Sequence, residues 1–295
     1  MMKVSKKGCL LVIFLAGLFV VYYSYSPQQH ETRKLPLKKR FPKALIIGAS
    51  KCGSRAILEF LGRHPDVAIA PKEVYYFSKH NLPSRDILLE KMPLSTEYQM
   101  TVEKTPSYFF SENAPRNIYM FNKTMKLVLV VNDPVKRVIS QYVQLFPYEN
   151  SSKKFEKLIR YCLKTGKKIK HYKNVLLGRG LYDVHLKRWL KYFPLAQIHI
   201  VDGQRLITHP WEPMQKLEAF LGVRPYFQKE KFIFNQTKGF YCLGNCLDKS
   251  KGRRHPEIKE EMLKLLYRYY IDHNLKFYQL TNIDFDWERN APHRI

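Results

Sequence analysis

Apolar residues in this chain come in short runs divided by glycine-containing loops and amphipathic stretches. Ala44-Leu-Ile-Ile-Gly48 has the length and composition of a buried strand. After Ala49-Ser-Lys-Cys-Gly-Ser54, the segment Arg55 to Leu61 puts Ala56, Ile57, Phe60 and Leu61 on one helical face. The whole reads as strand, loop, helix. Lys126 to Val131 starts a second unit: a β-branched apolar run, Asn132-Asp-Pro134 as turn and helix start, then an amphipathic stretch to Leu145. Ile198-His-Ile-Val201, with Asp202-Gly203 as a turn feeding Met214 to Leu221, is a third. Leu181 to Phe193 has helical apolar spacing, with Trp189 and His185 expected in the core. Strands alternating with helices predict an α/β fold, a mostly parallel sheet flanked by helices. Ligands of such sheets bind beyond the carboxyl ends of the strands, so the loops at 48–54, 132–140 and 202–205 are expected to meet on one edge.

The apolar run from Cys9 to Tyr23, preceded by Lys3, Lys6 and Lys7, differs in kind. A spanning helix needs roughly 20 apolar residues, with a lower edge of about 17, and residues 8–25 reach that edge. Tyr22-Tyr-Ser-Tyr-Ser-Pro27 offers no small-x-small cleavage site, which favours an uncleaved signal anchor over a cleaved signal peptide. The expected order is a cytoplasmic tail (1–7), a transmembrane anchor (8–25), a polar, basic stem without helical or strand period (26–41) and a luminal or extracellular body (42–295). Glycosylation sequons at Asn122, Asn150 and Asn235 agree with that topology.

Charge narrows the partners. The 295 residues hold 51 Lys and Arg against 25 Asp and Glu, a net charge of +26, while 45% hydrophobic and 14% aromatic residues suffice for one sizeable core. A disordered basic tail is excluded. So positive a surface implies a polyanion: nucleic acid, anionic lipid, or sulfated or carboxylated polysaccharide. A luminal body does not meet nucleic acid, which leaves a glycan. Cys242 and Cys246 form a disulfide candidate in an oxidising compartment. Zinc held with His255 lacks a second pair of ligands, so no metal is expected.

Gly48-Ala-Ser-Lys51-Cys-Gly53-Ser54 lies between a strand and a helix, where successive N–H groups and the helix's positive end hold phosphate. An ordinary tight turn is the plainer reading. The lysine precedes the second glycine, so this is not the nucleotide-triphosphatase loop. The run Lys164 to Lys173 either lines a polyanion groove or is a solvated basic loop.

Phe41 to Ile57 resembles the 5'-phosphosulfate loop of the heparan sulfate sulfotransferases. The resemblance continues through Val102-Glu-Lys-Thr-Pro-Ser-Tyr-Phe109, Ile198 to Gly203, Gly239-Phe-Tyr-Cys242 and Lys249 to Pro256, covering nearly all of 41–285, and is closest to the glucosamine 3-O-sulfotransferase branch. It implies a P-loop-like sulfotransferase fold, a single-pass type II protein of the Golgi membrane, 3'-phosphoadenylyl sulfate (PAPS) as donor without a metal, and heparan sulfate as partner. Lys51, Cys52, Gly53, Ser54 and Arg55 would hold the 5'-phosphosulfate, Lys51 also neutralising the leaving phosphate. Asn132 and Ser140 fall where the family binds the 3'-phosphate. Lys251, Gly252, Arg253, Arg254 and His255 match its second nucleotide loop, and Tyr241 is placed near the nucleotide. Glu73 falls on the general base. The segment Glu73, Val74, Tyr75, Tyr76, Phe77, Ser78, Lys79, with Lys104, Thr105, Pro106, Ser107 and Gln144, would meet the acceptor.

The chain departs from the 3-O branch at three residues and in a shorter Cys242–Cys246 loop. Tyr75 stands where that branch has His, Ser78 where it has Asp, and Asn132 where it has Arg. Asn at 132 is shared with the N-sulfotransferase branch. Transfer to the glucosamine 3-hydroxyl is the expected reaction, with N-sulfation or a catalytically weak heparan-binding protein as alternatives.

Overall fold

A computed structural model describes residues 35–148, 151–164, 170–244, 246 and 255–292. Its strands are β1 (Lys38–Lys39), β2 (Ala44–Gly48), β3 (Val67–Ile69), β4 (Leu94–Ser95), β5 (Met100–Lys104), β6 (Lys126–Val131), β7 (Ile198–Asp202), β8 (Phe232–Asn235) and β9 (Phe240–Leu243). Its α-helices are α1 (Ser54–Leu61), α2 (Arg85–Glu90), α3 (Ala114–Phe121), α4 (Pro134–Leu145), α5 (Ser152–Lys164), α6 (Lys170–Leu176), α7 (Tyr182–Trp189), α8 (Gly203–Thr208), α9 (Trp211–Leu221) and α10 (Glu260–Thr281).

Five strands form a parallel sheet in the order β3-β5-β2-β6-β7. Every residue of β2, and Leu127 to Val131 of β6, is buried. Strands covered on both faces read as unbroken apolar runs, which is why the sequence shows them. From β2 the chain crosses to β3 and β5 on one side and later to β6 and β7 on the other. The carboxyl end of β2 is therefore the switch point, where open α/β sheets bind ligands.

A second apolar cluster packs Val135, Val138 and Tyr142 of α4 against Phe155 and Ile159 of α5 and Met262, Leu266 and Tyr270 of α10. Each such side chain contributes roughly 1.5–3 kcal/mol when fully buried. Asp133 fastens the junction: Oδ1 accepts from the Val135 amide at 2.8 Å, capping α4, and Oδ2 accepts from the Tyr267 hydroxyl at 2.6 Å.

Three details differ from the sequence reading. Lys38 and Lys39, read as stem without strand period, form a short strand that pairs with Ser95 and Leu94. Gly203 begins a helix instead of completing a turn, since the Asp202 carboxylate caps α8 by accepting from the Gln204 and Arg205 amides. β3 and β5 were not read as strands: β3 is an apolar run of only three residues, and β5 buries Thr101, Glu103 and Lys104. The expected tail, the anchor at 8–25 and stem residues 26–34 lie outside the described residues, among which no helix is long and apolar enough to cross a membrane.

Candidate active site

The loop after β2 forms one wall of a cleft of about 930 Å³. Gly53 precedes α1 at φ 111°, a value open to glycine but rarely to other residues, and Lys51 sits in the left-handed region at φ 74°. Non-glycine residues held there cost of order 1–3 kcal/mol and cluster at ligand clamps. No side chain caps α1. Its first-turn amides, with the positive end of the helix dipole, face a cleft lined by Ser50 through Ala56. Lys51, Arg55, Arg63, Lys104 and Arg179 line the same cleft against the carboxylates Glu59 and Glu73. Arg55 is paired with Glu59 at 2.5 Å. Uncapped amides amid excess cation fit a phosphosulfate group.

Two neighbouring loops brace this wall. Cys52 is buried, its Sγ 3.3 Å from the Tyr182 hydroxyl, which donates to the Asn132 carbonyl at 2.8 Å. Burial pushes the Cys52 thiol up, so the group is a packed tie rather than a nucleophile. Gly203 lies so close that a Cβ there would stand 2.4 Å from the Cys52 carbonyl oxygen and 2.8 Å from that of Val131.

Across the cleft, Glu73 is held from two sides. Lys104 Nζ donates to Oε1 and the Tyr75 hydroxyl to Oε2. The Lys104 side chain is 6% exposed and that of Glu73 31%. Tyr75 is itself in the left-handed region at φ 55°, and its bond to the Glu73 carboxylate, aided by burial, pushes its phenol up to about 12. Thr105 accepts from the Val74 amide at 3.1 Å and from the Tyr75 amide at 3.3 Å, which fixes the segment over the end of β5.

Lys51, Cys52, Gly53, Ser54, Arg55, Asn132, Ser140 and Tyr241 of the expected donor set line the cleft, as do Glu73, Tyr75, Lys104, Pro106, Ser107 and Gln144 of the acceptor set. Tyr76 and Phe77 do not: both are buried, and Phe77 packs on Tyr108 and Phe121. They are corrected to core residues, because the 3-10 turn Tyr76–Ser78 carries the chain inward. Val74, Ser78, Lys79 and Thr105 are also absent from the lining; Val74 and Thr105 act through the backbone bonds just described, and the Ser78 and Lys79 carbonyls accept from Asn113 and Asn117. His255 stands outside the lining, yet burial and then the Lys51 ammonium hold its ring below the ordinary value, so its segment approaches the loop. Lys251, Gly252, Arg253 and Arg254 lie outside the described residues, with Asn150 and residues 165–169 of the basic run. Asn122 and Asn235 are half-buried. The Cys242–Cys246 disulfide is formed. Among the described residues no His, Cys, Asp or Glu cluster could hold a metal ion.

Sequence reasoning missed Arg179, whose guanidinium lies 5.2 Å from the Phe110 ring centroid and whose pKa is lowered by burial and by neighbouring Arg137. Gly178-Arg-Gly180 carries no periodic or motif signal. Only the fold brings it to the cleft.

An uncapped strand-loop-helix at the switch point of a parallel sheet, facing a carboxylate clamped by a lysine, is the architecture of a sulfotransferase. Residues 41–275 match the sulfotransferase domain family. The solved structure of a sulfotransferase from Alicyclobacillus acidocaldarius shares the fold, with a TM-score of 0.66 over 84% of this chain and 99% of that one at 20% identity. Heparan sulfate glucosamine 3-O-sulfotransferase 5 of Homo sapiens is 37% identical over 283 residues, 93% of this chain and 82% of that protein. Heparan sulfate glucosamine 3-O-sulfotransferase 3A1 of Mus musculus is 40% identical over 258 residues, 85% of this chain and 65% of that one. The chain belongs to the sulfotransferase family, in the group of the heparan sulfate glucosamine 3-O-sulfotransferases.

Proposed function

We propose that this protein transfers the sulfuryl group of PAPS to the 3-hydroxyl of glucosamine residues in heparan sulfate. The observation that carries the reading is the opposition of two walls: the open amides of α1 with Lys51 and Arg55 on one, the Glu73 carboxylate clamped by Lys104 and Tyr75 on the other. Donor phosphates sit on the first wall. Glu73 takes the proton of the acceptor hydroxyl as its oxygen bonds to sulfur and the sulfur–oxygen bond to the nucleotide breaks. Lys51 offsets the charge that gathers on the departing phosphate, and Lys104 holds the base in line. Relatives with the same named reaction support the choice of acceptor position. Incubating the protein with labelled PAPS and defined heparan oligosaccharides, then mapping the labelled position, tests it. Glu73→Gln is expected to lower kcat by about 100-fold or more while leaving PAP affinity within about twofold, the range for loss of a general base; label on the glucosamine nitrogen would refute the acceptor assignment.

We also propose that residues 8–25 anchor the protein in the Golgi membrane with the body luminal. The apolar run after Lys3, Lys6 and Lys7, the sequons and the disulfide support this. In microsomes the body should resist added protease and carry glycan removable by endoglycosidase; a protease-sensitive, unglycosylated body would refute it.

A further inference from the structure

Glu103 is an odd residue for its place. It lies in β5, is 0% exposed and packs beneath the segment that carries Glu73. Enclosing a carboxylate costs several kcal/mol unless hydrogen bonds compensate, and its Oε2 has no partner among the described residues. An apolar side chain would serve the core better. What Glu103 does contribute is Oε1, which accepts from the Thr105 hydroxyl and, at 3.3 Å, from the Val74 amide. Glu103 and Thr105, two positions apart, share one side of the chain. Thr105 in turn receives the Val74 and Tyr75 amides. Two side chains thus grip two successive amides directly after Glu73, while Lys104 between them bonds the Glu73 carboxylate.

We infer that Glu103 is a positioning residue for the reaction: with Thr105 it pins the Val74 and Tyr75 backbone, so that Glu73 meets Lys104 and the acceptor in one orientation. This rests on the reading of Glu73 as the base. The Glu103 carboxyl is raised by burial to about 7. The titratable groups that face it are Lys104, Glu73, Tyr75 and Tyr108. Protonation leaves the accepting role of Oε1 intact, since the proton can reside on the unpartnered Oε2.

The test is a set of variants assayed for kcat, glycan KM and PAP affinity, with circular dichroism and melting to verify folding. Glu103→Ala is expected to lower kcat about 100-fold, the cost of an ångström-scale misplacement, with KM and PAP affinity within about threefold. Glu103→Gln, whose amide oxygen still accepts from Val74 and Thr105, should recover most of that loss. Thr105→Val, which removes the hydroxyl that accepts from the Val74 and Tyr75 amides and donates to Glu103 while keeping the side chain's shape, should match Glu103→Ala and decides the matter if the latter does not fold. Three results would overturn the inference: folded Glu103→Ala and Thr105→Val with kcat near wild type, a kcat loss mirrored in PAP affinity, or Glu103→Gln as impaired as Glu103→Ala. Glu73→Gln is assayed alongside. If it is inactive while Glu103→Ala is active, positioning alone fails; if it is active, the base assignment fails and positioning with it.

Discussion

Gly203→Ala isolates what the donor wall tolerates. Position 203 begins α8 without a positive φ, so alanine meets no backbone strain and the effect is purely one of space. Its Cβ would lie 2.4 Å from the Cys52 oxygen and 2.8 Å from the Val131 oxygen, where ordinary contact begins near 3.4 Å. Both obstacles are backbone, so no rotamer change relieves them, and one of the two loops must retreat by about 1 Å. Overpacking of this kind costs about 1–3 kcal/mol. For a body of this size that lowers Tm by roughly 2–12 °C. The nearer obstacle, the Cys52 loop, leads into the α1 amides, and misaligning one hydrogen bond to a charged group forfeits about 1.5–3 kcal/mol, roughly a 10- to 150-fold loss in PAP affinity. Differential scanning fluorimetry and isothermal titration with PAP read the two effects separately. A Tm within about 1 °C of wild type together with unchanged PAP affinity would refute the claim that the Cys52 loop and α8 are in fixed contact.

Two half-buried histidines make stability fall in acid. Burial holds His185 and His199 at about 4, below their ordinary 6.5, so the unfolded chain binds more protons between those values and stability is lost as pH falls from 6.5 towards 4, by up to about 3 kcal/mol per group. Urea unfolding across that range should show the decline, and His199→Gln should flatten it; parallel slopes in the two proteins would contradict the cause given. The Cys242–Cys246 bridge closes a loop with a sequence separation of 4, for which loop entropy gives about 2 kcal/mol. Cys242→Ser should lower stability by that order in denaturant titration, and an unchanged midpoint would remove the bridge from the account.

What the sequence made legible follows from physical period. β2 and β6 announced themselves as apolar runs because both faces of the sheet are covered, β7 by Ile198-His-Ile-Val201 before a turn signal, and α1 and α4 by their single apolar stripe. β5 stayed hidden because its interior residues are Thr101, Glu103 and Lys104, buried through hydrogen bonds and ion pairing rather than hydrophobicity. The donor loop was readable since its residues are contiguous. The loop at 202–205, with Gly203, was expected at that edge, whereas Arg179 was not read as a site residue because it reaches the cleft through tertiary packing between segments far apart in the chain. Tyr76 and Phe77 misled for the opposite reason: they adjoin Glu73 in sequence, but the chain turns inward after Tyr75.

The bond between Asp133 and Tyr267 bears on the order in which the protein matures at the ribosome. Helix α10 emerges after the other described helices, yet its Tyr267 completes the cap of α4, and Met262, Leu266 and Tyr270 close the apolar layer behind that helix. Until translation has passed these positions, Val135 and Tyr142 lack the α10 side of their packing and the edge bearing Asn132 and Ser140 lacks part of its backing. Competence to bind nucleotide is therefore acquired only after α10 has been made, however early the loop around Lys51 has been made.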